Sequence, residues 1–197
     1  MSPESKAEGM GKELILVLGG ARAGKSDFAE SLAQDAGRVL FVATAEALDE
    51  DMAQRIAVHR SQRPAGWETL EVPVDVAASL APVAQDYDTV LLDCLTLWVS
   101  NRMLQKEDTP HIVEATENLL RVYDEGDAAW IVVSNEVGLG VVPPTPSGRA
   151  FRDALGRVNQ LVASRADRVY MMVAGLAIEI KGADTPHSGH SGRQDTT

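Results

Sequence analysis

Cysteine is almost missing from this chain: Cys94 is the only one in 197 residues, so no disulfide can form within it. Because Cys94 follows an apolar run, it reads as a buried, inert thiol. Aromatic residues are few, at 5%, and no apolar run reaches the length of about eighteen residues that reads as a membrane-spanning helix. No charged leader followed by an apolar stretch is visible either, so neither a membrane span nor a secretory signal is expected, and the cytoplasm is the expected location. Positive charge is scarce as well. With Lys+Arg 18 against Asp+Glu 29 the formal net charge is −11, which argues against a nucleic-acid partner, since phosphate backbones are bound through basic faces. Against these absences stands a hydrophobic content of 45% over 197 residues, enough for one good core and short of two ordinary domains.

The ends have little to bury. Residues 1–12 are polar and glycine-bearing, and residues 182–197 contain no Val, Ile, Leu, Met or aromatic side chain, so both are expected to be disordered around a single domain at 13–181. Within it, short apolar runs at 14–18, 38–43, 88–93, 128–134 and 167–174 read as buried strands, a shorter one at 67–72 joins them, and 177–181 returns behind Gly175 as an antiparallel edge. Helical patterns lie between at 26–34, 50–61, 74–84, 95–104, 110–125 and 148–166, with Thr109-Pro110 as cap and first-turn proline and Gly126 as a stop. That alternation specifies an α/β fold with a mostly parallel central sheet flanked by helices.

The strongest chemical signal is Gly19-Gly20-Ala21-Arg22-Ala23-Gly24-Lys25-Ser26, which matches G-x-x-x-x-G-K-[ST] and stands between an apolar strand and an amphipathic helix. Glycines let successive backbone N–H groups converge on phosphate oxygens, the helix N-terminus favours an anion, Lys25 supplies a point charge, and the Ser26 hydroxyl suits Mg²⁺. A nucleoside triphosphate is the expected ligand. Val90-Leu91-Leu92-Asp93 then ends an apolar strand in a carboxylate, where a phosphate-loop fold puts its magnesium-organising acid, although a helix cap needs the same residue.

Four histidines remain to be sorted. His187 and His190 fall in the C-terminal tail and His111 at an exposed helix start, which leaves His59, close in sequence to Arg55, Arg60 and Arg63. A neutral imidazole among guanidiniums can attack phosphorus. The residues alone fit a surface helix histidine with solvated neighbours better. Ser134-Asn135-Glu136-Val137-Gly138 leaves a strand's carboxyl end, where ligands sit in open α/β sheets, so Asn135 and Glu136 are placed to touch a substrate or to shape a turn. Farther on, Phe151, Leu155, Val158 and Leu161 or Val162 share a helix face that reads as core. Arg149, Arg152, Arg157 and Asn159 are left for phosphate binding, a subunit contact or solubility.

In this order the motifs resemble one family. The phosphate loop, Ala43-Thr44-Ala45, the 49–64 segment with His59, Leu91-Leu92-Asp93-Cys94-Leu95-Thr96, the 134–143 segment and Phe151-Arg152-Asp153 with Gly156-Arg157-Val158-Asn159-Gln160 are similar to those of the bifunctional adenosylcobinamide kinase/adenosylcobinamide-phosphate guanylyltransferases of cobalamin biosynthesis. The resemblance spans about 13–181 and implies a RecA-like P-loop domain. It implies phosphorylation of adenosylcobinamide by ATP or GTP, then transfer of GMP from GTP to that phosphate through a GMP-histidine. It implies His59 as nucleophile beside Lys25, a nucleotide site formed by Gly19 to Ser26, Ala43, Thr44, Ala45, Arg60, Ser61, Gln62, Arg63, Glu71 and Asp93, Mg²⁺ on Ser26 and Asp93, and a homotrimer. Some relatives carry Glu at Asp93 and Lys-Asp-Gly-Arg at Arg60-Ser61-Gln62-Arg63, so purine contacts there can differ. Two other readings of the residues are a monofunctional P-loop small-molecule kinase and a nucleotide-switched binding protein whose 134–146 loop faces a partner.

Overall fold

The computed structural model describes residues 11–47, 50, 54, 57, 58, 60, 61 and 63–182. In chain order it runs β1 (Leu14–Gly19), α1 (Lys25–Ala33), β2 (Val39–Ala43), β3 (Glu68–Glu71), α2 (Val76–Leu80), β4 (Thr89–Asp93), α3 (Leu95–Leu104), α4 (Thr109–Glu125), β5 (Ala129–Val133), α5 (Pro146–Arg165), β6 (Arg168–Val173) and β7 (Leu176–Lys181). The strands form one sheet of order β3-β2-β4-β5-β1-β6-β7. All neighbours are parallel except the β6–β7 pair.

The central strands are apolar throughout because the sheet is covered on both faces. Val17, Phe41, Leu91 and Ile131 pack with Ala29 and Ala33 of α1 on one side. Leu16, Val42, Leu92 and Val132 pack with Leu80, Trp98, Leu119 and Val158 from α2 to α5 on the other. A single strand, β5, separates β1, which feeds the glycine loop, from β4, which ends at Asp93. That insertion agrees with the RecA-like expectation and puts the glycine loop and Asp93 at the strands' carboxyl ends, where open α/β sheets bind ligands.

Several local expectations need correction. The helix expected over 74–84 stops at Leu80, followed by a 3₁₀ turn at Ala84–Asp86. Pro82 lacks the N–H that a longer helix needs, and its ring would collide with the carbonyl four residues back. The cap of α4 is Asp108 and not Thr109: its carboxylate accepts the His111 N–H at 3.1 Å, and Pro110 falls one position later in the first turn. Of the helix expected at 50–61, Glu50, Gln54, Ala57, Val58, Arg60 and Ser61 are helical, and the others lie outside the described residues. The tail residues 1–10 and 183–197, with His187 and His190, also lie outside them.

Candidate active site

The sheet register builds the site. Glu71, Ala43, Asp93, Val133 and Val17 stand side by side across β3, β2, β4, β5 and β1. Parallel neighbours in one row share a face, so Asp93 turns toward α1 and the phosphate loop. The Ser26 hydroxyl donates to Asp93 Oδ2 at 2.7 Å, so two residues 67 positions apart meet as a pair of hard oxygen donors.

The loop between them is shaped by glycine. Gly19 has φ 153°, and a Cβ there would lie 2.7 Å from the Met172 carbonyl oxygen of β6. Gly24 caps α1 at φ 86°, ψ 22°, the left-handed conformation that L side chains rarely adopt. The loop is also tied to its surroundings: Glu136 N–H donates to Gly19 O at 3.1 Å and Gly175 N–H to Ala23 O at 3.2 Å. Lys25 folds over it, its ammonium donating to Gly20 O at 2.7 Å. Burial pushes the Lys25 pKa down, against the opposing pull of Cys94 and Asp93. A cation held this way gains strongly from an arriving phosphate. Gly20, Ala21 and Arg22 remain exposed.

Thr44 locks β2 to the turn after Asp93. Its hydroxyl accepts the Cys94 N–H at 2.8 Å and donates to Cys94 O at 2.7 Å, while Thr44 O accepts from Asn101 Nδ2 at 2.8 Å. Ala45, next to it, is half-buried. The Cys94 thiol is pushed up to about 12, chiefly by burial and then by the Asp93 charge, so it stays protonated and unreactive near neutrality.

The outer part of the predicted site is more open. Arg60 forms an ion pair with Glu71, both exposed. The Ser61 hydroxyl turns back to Val58 O at 2.8 Å. Arg63 sits over the Phe41 ring, its guanidinium carbon 3.8 Å from the centroid, and donates to Thr69 Oγ1 at 3.2 Å. Burial lowers the Arg63 pKa, assisted by Arg60, and its Nε is buried without a partner among the described residues. His59 and Gln62 lie outside the described residues. His111 is exposed and held by Asp108 at the start of α4.

Three polar residues at the core's upper end escaped sequence reasoning as a group. Asn159 is 5% exposed and not a surface residue. Its Oδ1 accepts from Ser134 Oγ at 2.7 Å and its Nδ2 donates to Asn135 O at 3.0 Å, while Asn135 N–H donates to Thr96 Oγ1 at 2.8 Å. The signal available was its position on the apolar Leu155–Val158–Val162 face of α5. Arg149 instead pins the loop before α5, donating to the carbonyls of Pro143 and Pro144 at 3.1 and 2.9 Å. Arg152 pairs with Asp153.

The family model described as cobinamide kinase / cobinamide phosphate guanyltransferase matches residues 15–180. The chain belongs to this family. Two curated members are similar over nearly their whole length. The bifunctional adenosylcobalamin biosynthesis protein CobP of Pseudomonas aeruginosa is 46% identical over 168 residues, covering 85% of this chain and 96% of its own. The bifunctional adenosylcobalamin biosynthesis protein CobU of Salmonella typhimurium is 40% identical over 184 residues, covering 85% and 99%. Among solved structures, the flagellar accessory protein FlaH from Methanocaldococcus jannaschii aligns at TM-score 0.49 and 14% identity, over 86% of this chain and 78% of that one.

Proposed function

We propose that this family member carries out two successive transfers onto one corrinoid. In the first, the aminopropanol hydroxyl of adenosylcobinamide attacks the γ-phosphorus of ATP or GTP. A new O–P bond forms, the β–γ bridging bond breaks, the nucleoside diphosphate leaves, and the hydroxyl proton passes to solvent or a nearby base. In the second, an imidazole nitrogen of His59 attacks the α-phosphorus of GTP and pyrophosphate leaves. A phosphate oxygen of adenosylcobinamide phosphate then displaces the histidine, giving adenosylcobinamide-GDP. Dividing nucleotidyl transfer into two displacements replaces one hard step with two easier ones.

The observation that carries this reading is the meeting of the Ser26 hydroxyl and Asp93 carboxylate, 2.7 Å apart beneath the glycine loop, in a chain that belongs to this family. Hydroxyl and carboxylate are the hard donors Mg²⁺ prefers, and the ion needs few protein ligands because it keeps waters and takes phosphate oxygens. Bound there, Mg²⁺ would neutralise charge on the transferring phosphates.

The protein's own residues have distinct tasks. Backbone N–H groups of Gly19 to Ser26 orient the phosphates, and Lys25 exchanges Gly20 O for a phosphate oxygen. Ala43 and Thr44, whose backbone groups are engaged with Val72, Asp93 and Asn101, form the floor beneath the nucleotide, Ala45 lines it, and Asp93 orients Ser26. Glu71 holds Arg60, the neighbour of His59 in sequence, and purine contacts are assigned to Ser61, Gln62 and Arg63. Assembly as a homotrimer is supported by an uncovered apolar strip on the sheet edge, where Val173, Leu176, Ile178 and Ile180 are 49%, 71%, 52% and 55% exposed. The domain itself is taken as 13–181, in the cytoplasm; among the described residues no helix is long and apolar enough to cross a membrane.

The test is incubation with Mg²⁺ and α-phosphate-labelled GTP, comparing wild type with His59→Ala. Protein-bound label that is lost in acid, survives alkali and is absent from His59→Ala supports the reading. A wild type that binds GTP and stays unlabelled removes His59 as nucleophile and leaves the kinase alone.

A further inference from the structure

The two backbone groups of Asn135 are gripped by side chains from different helices. Its N–H donates to Thr96 Oγ1 at the start of α3, and its carbonyl accepts from Asn159 Nδ2 of α5. Asn159 is itself turned by the hydroxyl of Ser134. Thr96, Ser134 and Asn159 are 8%, 0% and 5% exposed. Burying three polar side chains is unfavourable unless each is paired, and apolar residues would pack α5 on the sheet at least as well. What the polar set adds is a fixed position for one residue.

That position lies between the two halves of the phosphate machinery. Ser134 N–H donates to Val17 O and Glu136 N–H to Gly19 O, so the chain follows β1 past the end of β5 up to the glycine loop. On the other side, Val133 stands beside Asp93 in the register. The Glu136 carboxylate turns into its own loop and accepts the Gly138 N–H. The Asn135 side chain, half-buried, forms no hydrogen bond with any described residue, and its carboxamide is a ready donor.

We propose that the Asn135 carboxamide donates to the γ-phosphoryl group of the bound triphosphate and stabilises its transfer, with Thr96 and Asn159 as positioning residues. The choice of the γ-group follows from the layout. The loop backbone cradles the inner phosphates, whereas Ser26 and Asp93 face the bridge between the outer two, and β5 ends beside that pair. The inference builds on the kinase half of the function above and does not involve His59.

The test compares wild type with Asn135→Ala for two quantities: affinity for GDP against β,γ-imido-GTP with Mg²⁺, and the rates of cobinamide phosphorylation and of labelling from α-phosphate-labelled GTP. Removing a donor to a charged group should weaken the triphosphate analogue by about ten- to hundredfold and leave GDP within about twofold. Phosphorylation should slow by about a hundredfold or more, while α-label incorporation falls only as far as GTP binding does. Equal losses for GDP and the triphosphate analogue, or no loss for either, would overturn the proposal. Should Asn135→Ala fail to fold, Asn135→Asp, of the same size but repelling phosphate, must show the same discrimination against the triphosphate. A wild type inactive on cobinamide defeats the kinase reading separately, since the GDP-to-triphosphate ratio still decides the role of Asn135.

Discussion

The two ends of the proposed site are built differently. At the centre of the sheet, Lys25, Ser26, Asp93 and Asn135 stand on buried strands, a glycine loop under steric constraint and paired polar side chains. At the β3 edge, Arg60 and Glu71 are 58% and 52% exposed, joined by an ion pair that water and salt weaken. The burial pattern of β3 itself is mostly exposed, against fully buried β1, β2 and β5. The centre is thus preorganised to hold phosphates in one place. The edge is held by solvent-exposed contacts, so substitutions there should cost less stability than substitutions at the centre.

Removing Lys25 should break the central half most severely. Lys25→Ala is expected to lower phosphorylation and protein labelling alike by about a hundred- to a thousandfold, measured as kcat/KM and label yield. Asp93→Asn should raise the Mg²⁺ concentration needed for half-maximal activity by about ten- to hundredfold, checked by metal titration, with little change in melting temperature. Asn159→Leu leaves Ser134 and the Asn135 carbonyl without their partner. It should cost about 1–3 kcal/mol of stability in denaturant unfolding. At the edge, Glu71→Gln should change stability by less than about 1 kcal/mol, and its effect on labelling should shrink as salt is raised. Smallest of all, Cys94 should resist alkylation at pH 8, since its thiol titrates near 12. Tyr123 is likewise pushed up to about 12 by burial. Both groups add stability that is complete below their ordinary values of 9.0 and 10.0 and is lost as pH rises toward 12, so unfolding should become easier across that alkaline window.

The same contrast explains what could be read from the chain. The central strands were legible because both faces are buried, so each appears as a short apolar run bounded by glycine or charge. Asp93 and Ser26 were legible because the loop and strand end fix their chemistry. Asn159 is less legible: in sequence it stands among arginines, and its one pointer is the helical spacing from Leu155 and Val162, the face that the packing of α5 turns inward. Glu71 entered through family resemblance alone, and its pairing with Arg60 depends on how the 60–71 segment returns to the sheet. The apolar spacing over 74–84 predicts a longer helix than Pro82 permits, and Thr109 reads as the cap of α4 although the Asp108 carboxylate accepts the N–H.

The measurement that bears most directly on the account is the fate of two labels in one substrate. GTP labelled at the α- and γ-phosphates is supplied with Mg²⁺ and adenosylcobinamide as the sole acceptor, and the corrinoid product is isolated. Two transfers at one site predict one γ-derived and one α-derived phosphorus per product, with only the γ-label in His59→Ala. A wild-type product carrying the γ-label alone, under conditions where GTP is still plentiful, would contradict the second transfer.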